Sequence, residues 1–207
     1  MTQHRIAAVV LAAGGSTRLG QPKQLLELGG VPLLEHVLRT VRRTAVDERF
    51  VVLGHAAEAI RRRTPLDGFQ VIHNPDYADG QSTSIVAAVN SIPDDISAVV
   101  FVLGDQPLQV PEVIDRLAES YRNDAAPIIQ PRYREGPGNP VLIDRTLFPE
   151  LVTLRGDTGA RPVLRERRDE IRRIDCSQWL RPVDVDTLDD YQRVKEDYES
   201  RVDVEDG

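Results

Sequence analysis

The chain has 207 residues, 41% of them hydrophobic, which is enough for one sizeable core and too little for two full domains, so a single domain over residues 1–198 with a frayed polar tail over 199–207 is expected. Its formal net charge of -7 disfavours a general nucleic-acid-binding surface but leaves room for a local basic pocket. The lone Cys176 excludes an internal disulfide framework and a cysteine-rich metal site and reads as a structural thiol; with no apolar run long enough for a membrane and no signal-peptide pattern, the cytoplasm is the expected compartment.

Ile6 to Leu11 is almost wholly apolar and largely β-branched, as in a strand buried on both faces. It breaks into Ala12, Ala13, Gly14, Gly15 and Ser16, and two basic residues, Arg18 and Lys23, follow before the apolar run resumes at Leu25. A strand of an α/β protein delivers such a loop to the carboxyl edge of the sheet, where ligands bind. Glycines permit tight turns and close approach, and successive backbone N–H groups can then face an anion. Arg18 offers a planar donor fork and Lys23 a mobile point charge. Gly15 and Gly20 have Walker A separation, but Gln21 stands where the lysine should be, and no GxGxxG occurs.

Leu11-Ala12-Ala13-Gly14-Gly15-Ser16-Thr17-Arg18-Leu19-Gly20, with Lys23 after it, resembles the signature loop of the MobA/MocA-like nucleotidyltransferases. The resemblance implies that residues 11–16 wrap the triphosphate of an incoming nucleotide and that Arg18 and Lys23 are catalytic. The Leu-Ala-Ala-Gly form is closer to the cytidylyltransferase branch, which uses CTP. The implied fold is α/β: a Rossmann-like three-layer sandwich around a mostly parallel central sheet, of the nucleotide-diphospho-sugar transferase type.

Along the chain, Gln24 to Arg43 reads as a loop followed by an amphipathic helix, with Leu33, Leu34, Val37, Leu38 and Val41 at helical spacing. Phe50 to Leu53 is a strand, Ala56 to Arg63 a helix and Phe69 to Ile72 a third strand. This alternation is that of a mostly parallel α/β sheet. The Pro- and Gly-bearing segment from Asn74 leads through Gln81, Ser82 and Thr83 into a helix carrying Ile85, Val86 and Val89. Ser82 or Thr83 could cap that helix or bond a base or ribose. The segment resembles the family's second nucleotide-contact loop, which implies contacts from Gly80, Ser82 and Ser84.

Ala98 to Leu103 repeats the opening pattern, an apolar strand running into Gly104, Asp105, Gln106 and Pro107. An aspartate at the end of a buried strand is costly without a partner. It could serve the turn before Pro107, or hold a divalent cation: Mg²⁺ takes few carboxylates plus substrate phosphates. Gly-Asp-Gln-Pro resembles the family's Gly-Asp-x-Pro, whose aspartate binds Mg²⁺, so the resemblance makes Asp105 both catalytic and metal-binding.

Pro111 begins a further helix with Val113, Ile114, Leu117 and Ala118 on its core face, and Ala125 to Gln130 is a strand. A polar loop, Tyr133 to Pro140, precedes the short strand Val141 to Ile143. It resembles the family's Gly-His-Pro-Val with Gly138 retained and Asn139 in place of the histidine, which implies acceptor recognition by these two residues. Gly156-Asp157-Thr158-Gly159-Ala160-Arg161 matches the family's Gly-Asp-x-Gly-Ala-Arg and places Asp157 in the same pocket; Asp157 and Thr158 can also cap a helix starting near Ala160. Arg155 and Arg161 could face an anionic substrate or pair with carboxylates.

Arg165 to Arg173, where acids interrupt the arginines, reads as a solvated face, and Trp179 as a local packing residue. Val183-Asp184-Val185-Asp186-Thr187-Leu188-Asp189-Asp190 resembles Asp-x-Asp-Thr-x-x-Asp near the end of related transferases. Alternation could put Asp184 and Asp186 on one strand face, and Thr187 or Asp186 could cap a helix from Leu188. Asp186 is the candidate second metal carboxylate.

Taken together, the resemblance implies Mg²⁺-dependent nucleotidyl transfer from CTP to the terminal phosphate of molybdenum-loaded molybdopterin, with release of pyrophosphate. A recipient molybdoenzyme or its chaperone would be a protein partner; no nucleic acid or membrane is expected. Another phosphorylated acceptor, or a non-catalytic nucleotide-binding module on the same fold, is the alternative.

Overall fold

The near-continuous apolar run at the start becomes β1 (Arg5–Leu11), in which Ile6 to Val10 are wholly buried. Both faces of such a strand must be covered. Ile6, Ala8, Val10 and Ala12 pack into one hydrophobic cluster, and Ala7, Val9 and Ala13 into another on the opposite side. The computed structural model describes residues 4–16 and 19–205.

After β1 come a hairpin of β2 (Glu27–Leu28) and β3 (Val31–Pro32), then α1 (Leu33–Arg42), β4 (Glu48–Leu53), α2 (Ala57–Arg63), β5 (Gln70–His73) and α3 (Gln81–Ser91). The second half holds β6 (Ile96–Leu103), α4 (Pro111–Asn123), β7 (Ile128–Tyr133), β8 (Gly136–Pro137), β9 (Val141–Asp144), α5 (Phe148–Leu151), α6 (Arg161–Glu166), β10 (Ile171–Asp175) and α7 (Leu188–Glu205). The main sheet runs β10-β7-β9-β6-β1-β4-β5, with β8 paired to β7. All neighbours along this path are parallel except β9, which is antiparallel to both β6 and β7. On one face lie Leu34, Val37, Leu38 and Val41 of α1, Ile60 of α2 and Ile114 and Leu117 of α4; on the other, Ile85 and Val89 of α3, Leu151 of α5 and Val163 of α6. This is the expected α/β three-layer architecture with a mixed, mostly parallel sheet.

A small third cluster joins Leu26, Leu28 and Leu33 to Val185 and Val194, with Tyr191 and Tyr198 against it. It brings the end of the chain back to the loop that follows β1. The final helix runs to Glu205, anchored where Tyr191, Val194 and Tyr198 form an apolar stripe at helical spacing and Tyr191 donates its hydroxyl to the Glu27 carbonyl. Thr187 starts α7, as the capping reading anticipates: its Oγ1 accepts from Asp190 N at 3.1 Å, while Asp190 Oδ2 accepts from Thr187 N at 2.9 Å. Thr187→Ala removes half of this reciprocal cap and is expected to lower stability by about 1 kcal/mol, read from urea unfolding.

The charged run is the solvated face expected of it, with Arg167 paired to Glu150 and Glu170 and Arg172 to Asp124, and its end enters β10, an edge strand beside β7. Arginines on an exposed edge discourage pairing with other chains and hide the strand's periodicity. Among the described residues no helix is long and apolar enough to cross a membrane.

Candidate functional site

The chain leaves β1 through α1 to β4 on one side, whereas β6 lies on the other side of β1. The carboxyl ends of β1 and β6 therefore flank a topological switch point, the usual place for a ligand on such a sheet. Gly104 N donates to Leu11 O at 3.0 Å, and a Cβ on Gly104 would stand 2.9 Å from Leu11 O and from the Ala12 Cβ. Glycine there lets the residue after it, Asp105, sit directly beside the β1 loop.

That loop is held by its carbonyls. Gln24, 2% exposed, donates through Nε2 to Ala12 O and Gly14 O, both at 3.1 Å. His55 N donates to Ala13 O at 3.1 Å, and Lys23 N donates to Ser16 Oγ at 2.9 Å. The N–H groups of Gly14, Gly15 and Ser16 have no hydrogen-bond acceptor among the described residues, which leaves three donors in succession, and Ser16 adopts a left-handed φ of 51°. Successive N–H groups left without acceptors beside a left-handed residue are the raw material of an anion-binding nest. A Cβ on Gly14 would meet nothing within 4 Å. The chain itself does not require a glycine at that position. Arg18 lies outside the described residues.

Lys23 reaches across to two carboxylates, with Nζ 2.5 Å from Asp105 Oδ2 and 2.7 Å from Asp186 Oδ1. Its side chain is 14% exposed, that of Asp105 20% and that of Asp186 49%, so the contact with Asp186 is the more screened. Burial by itself lowers the Lys23 pKa, but the charge of Asp105 and the hydrogen bonds to both acids outweigh it and hold the ammonium above its ordinary value. Asp105 Oδ1 is buried without a hydrogen-bond partner among the described residues. Asp184 completes the acidic group. Asp184 is exposed at the surface, yet desolvation of its carboxyl by the neighbouring groups first, then the charge of Asp105, raises its pKa, against the lowering effect of a hydrogen bond from Gln106. The segment carrying Asp184 and Asp186 is not a strand; a single backbone bond, Val185 N to Asp105 O at 3.1 Å, puts both acids at the end of β6.

The second loop is knitted inward. Ser82 is fully buried, and its hydroxyl donates to Arg155 O at 3.3 Å. Ser84 Oγ accepts from Asn74 Nδ2 at 3.1 Å. The capping expectation is therefore corrected: Gly80 precedes α3 and neither Ser82 nor Thr83 caps it. Asp157 supplies the missing acceptor from across the chain, taking Gln81 N at 3.2 Å, and α6 begins after Ala160 with no side-chain cap from Asp157 or Thr158. Gly80, Ser82 and Asp157 thus bind the start of α3 to the 155–159 loop.

The expected acceptor loop emerges at the same sheet edge, since β9 begins at Val141 opposite Phe101 of β6. Gly138 is buried against the Tyr133 ring, which a Cβ would meet at 2.9 Å, and Tyr133 donates its hydroxyl to Asn139 O at 2.7 Å. Arg155 turns to the carbonyls of Val152 and Leu154 and not to the cleft. Trp179 packs beside Cys176 and Tyr133, with the Arg116 guanidinium 5.1 Å from its ring centroid, in agreement with a packing role. Among the described residues no three His, Cys, Asp or Glu side chains are arranged to hold a metal by themselves. Gln24 and Gln106, both buried, escaped sequence reasoning because a single glutamine carries no periodicity or charge signal.

The profile of the MobA-like NTP transferase domain matches residues 8–171. Nicotine blue oxidoreductase of Paenarthrobacter nicotinovorans is 32% identical, the match covering 91% of this chain and 96% of that protein. The molybdenum cofactor cytidylyltransferase of Escherichia coli K12 is 27% identical over 93% of this chain and 97% of its own. The Rv0371c protein of Mycobacterium tuberculosis superposes with a TM-score of 0.84 at 35% identity, covering 94% of this chain and 100% of that one. A second structure of it, a complex with manganese, superposes with a TM-score of 0.79 at 33% identity, covering 93% and 98%.

Proposed function

Because this chain belongs to the MobA-like NTP transferase family, we propose that it transfers a nucleotidyl group from CTP to the terminal phosphate of molybdenum-loaded molybdopterin. The observation that carries the reaction class is the meeting of Lys23, Asp105 and Asp186 beside a loop with three N–H donors that have no acceptor among the described residues.

An ionised acceptor oxygen attacks the α-phosphorus of the triphosphate. A new P–O bond forms as the bond from the α-phosphorus to the bridging oxygen breaks, and pyrophosphate leaves with the electron pair. An acceptor that is already an anion needs no general base. The work of the protein is positioning and charge neutralisation. The N–H groups of residues 14–16 receive the triphosphate, and Lys23 turns its ammonium from the carboxylates to the phosphates, with Arg18 as the second cation of the loop.

Asp105 and Asp186 are the proposed Mg²⁺ ligands. The orphaned Asp105 Oδ1 and the half-exposed Asp186 suit a cation that takes one or two carboxylates and completes its shell with water and phosphate oxygens. When bound, Mg²⁺ would neutralise charge that develops on the leaving pyrophosphate. That a relative forms a complex with manganese is in keeping with a divalent-cation requirement.

CTP rests on the Ala12-Ala13-Gly14 form of the loop and on the full-length similarity to a cytidylyltransferase. The pterin rests on that similarity and on the loop at Gly138 and Asn139 beside β6. A turnover panel tests both: CTP, GTP, ATP and UTP with Mg²⁺, against the molybdenum pterin, sugar phosphates and alcohol phosphates. The expected result is pyrophosphate release greatest with CTP and the pterin. Robust product from a sugar phosphate with none from the pterin would move the acceptor assignment and leave nucleotidyl transfer standing. Tight nucleotide binding without turnover on any acceptor would support a binding module. One relative is named an oxidoreductase, so the panel includes NADH with an oxidised dye; its oxidation without pyrophosphate release would favour that chemistry.

A further inference from the structure

Asp105 and Gln106 are successive residues at the end of β6, and each holds the 184–186 segment. Gln106 is 4% exposed and donates through Nε2 to Asp184 Oδ1 at 2.8 Å. Val185, fully buried, donates its N–H to Asp105 O. Asp186 follows and meets Lys23. No strand ladder supports this segment; these two bonds and the burial of Val185 tie it to the end of β6, beside the contact of Asp186 with Lys23 and the bonds that Asp186 N and Thr187 N donate to Asp190. The Gln106 amide is not buried for its own satisfaction, because its Oε1 has no partner among the described residues. Burying an amide with one end unbonded is unfavourable, and the bond to Asp184 is what the side chain makes.

We infer that Gln106 is a positioning residue: through its hydrogen bond to Asp184 it fixes Asp186 opposite Asp105, and so sets the affinity of the pair for a divalent cation. The inference rests on the proposed metal role of Asp105 and Asp186. Residues behind metal ligands commonly change metal affinity by about 10–100-fold when replaced.

The test uses Mn²⁺ as the probe, its binding followed by electron paramagnetic resonance with a non-hydrolysable CTP analogue present, alongside the Mg²⁺ dependence of turnover. Gln106→Met should weaken Mn²⁺ binding by about tenfold or more and move half-maximal activity to higher Mg²⁺, with the acceptor KM unchanged. Asp184→Ala removes the same bond from an exposed residue, so it serves even if Gln106→Met folds poorly, and it should give the same loss. Asp184→Asn retains an oxygen that can accept from Gln106 and should stay near wild type. Unchanged Mn²⁺ affinity in Gln106→Met and Asp184→Ala would overturn the inference while leaving the metal site intact. A loss in Asp184→Asn as large as in Asp184→Ala would overturn it too, by showing that charge and not the bond matters. If the unaltered protein binds no Mn²⁺ beside the analogue, the metal reading itself fails and this inference with it.

Discussion

Asp105→Asn is expected to lower turnover by on the order of 10³-fold while leaving the fold in place. The asparagine is nearly isosteric, and its side-chain oxygen can still accept from Lys23. What it removes is the charge on the less exposed of the two carboxylates that face the ammonium. In the apo chain that charge helps to hold the buried Lys23 ionised, but Asp186 meets the same ammonium and the asparagine oxygen still accepts from it, so the fold keeps a counter-ion. It is needed when a metal nucleotide occupies the site. The thermal midpoint should therefore change little while kcat collapses. A comparable loss of both would make Asp105 a structural counter-ion to Lys23 and nothing more.

Two glycines should respond to alanine in opposite ways. Gly80 has a φ of 108°, and a Cβ there would overlap the Gly156 carbonyl carbon and approach Asp157 N to 2.6 Å. Left-handed strain and a backbone clash together are expected to cost about 3 kcal/mol or more, a drop of roughly 6–12 °C in thermal midpoint for a chain of this size. Gly14→Ala should leave the midpoint unchanged, since the added carbon meets nothing. It should instead raise the nucleotide Kd by about 10–100-fold, the value of one lost hydrogen bond to a charged phosphate. Differential scanning calorimetry and nucleotide titration of both variants separate the two roles. Unaltered nucleotide affinity in Gly14→Ala would show that the triphosphate does not approach that carbon.

The sheet was legible where strands are buried on both faces. Ile6 to Leu11, Phe50 to Leu53 and Ala98 to Leu103 announce themselves as apolar runs, and their loops carry Lys23 and Asp105 to one edge. Beta10 was hidden because an exposed edge strand can carry Arg172 and Arg173 in place of an apolar alternation. The length of α7 was hidden because its apolar stripe, Tyr191, Val194 and Tyr198, is thin and lies among charges. Within the site, strongly charged residues in short motifs could be picked out, whereas their supports could not. Gln24 secures the loop carbonyls and Gln106 secures Asp184 through bonds formed only after folding, the second across 78 positions of the chain. Asp157 capping α3 is of the same kind: a local reading assigns it to the helix next in sequence, and the fold gives it to one that precedes it.

The central claim is that the α-phosphorus is the atom attacked. It is tested most directly by following label from CTP carrying ³²P at either the α or the γ position, with Mg²⁺ and the molybdenum pterin. The expected result is α label in the pterin product and γ label entirely in pyrophosphate, both abolished in Asp105→Asn. Appearance of γ label in the acceptor would mean phosphoryl transfer, and would contradict the account.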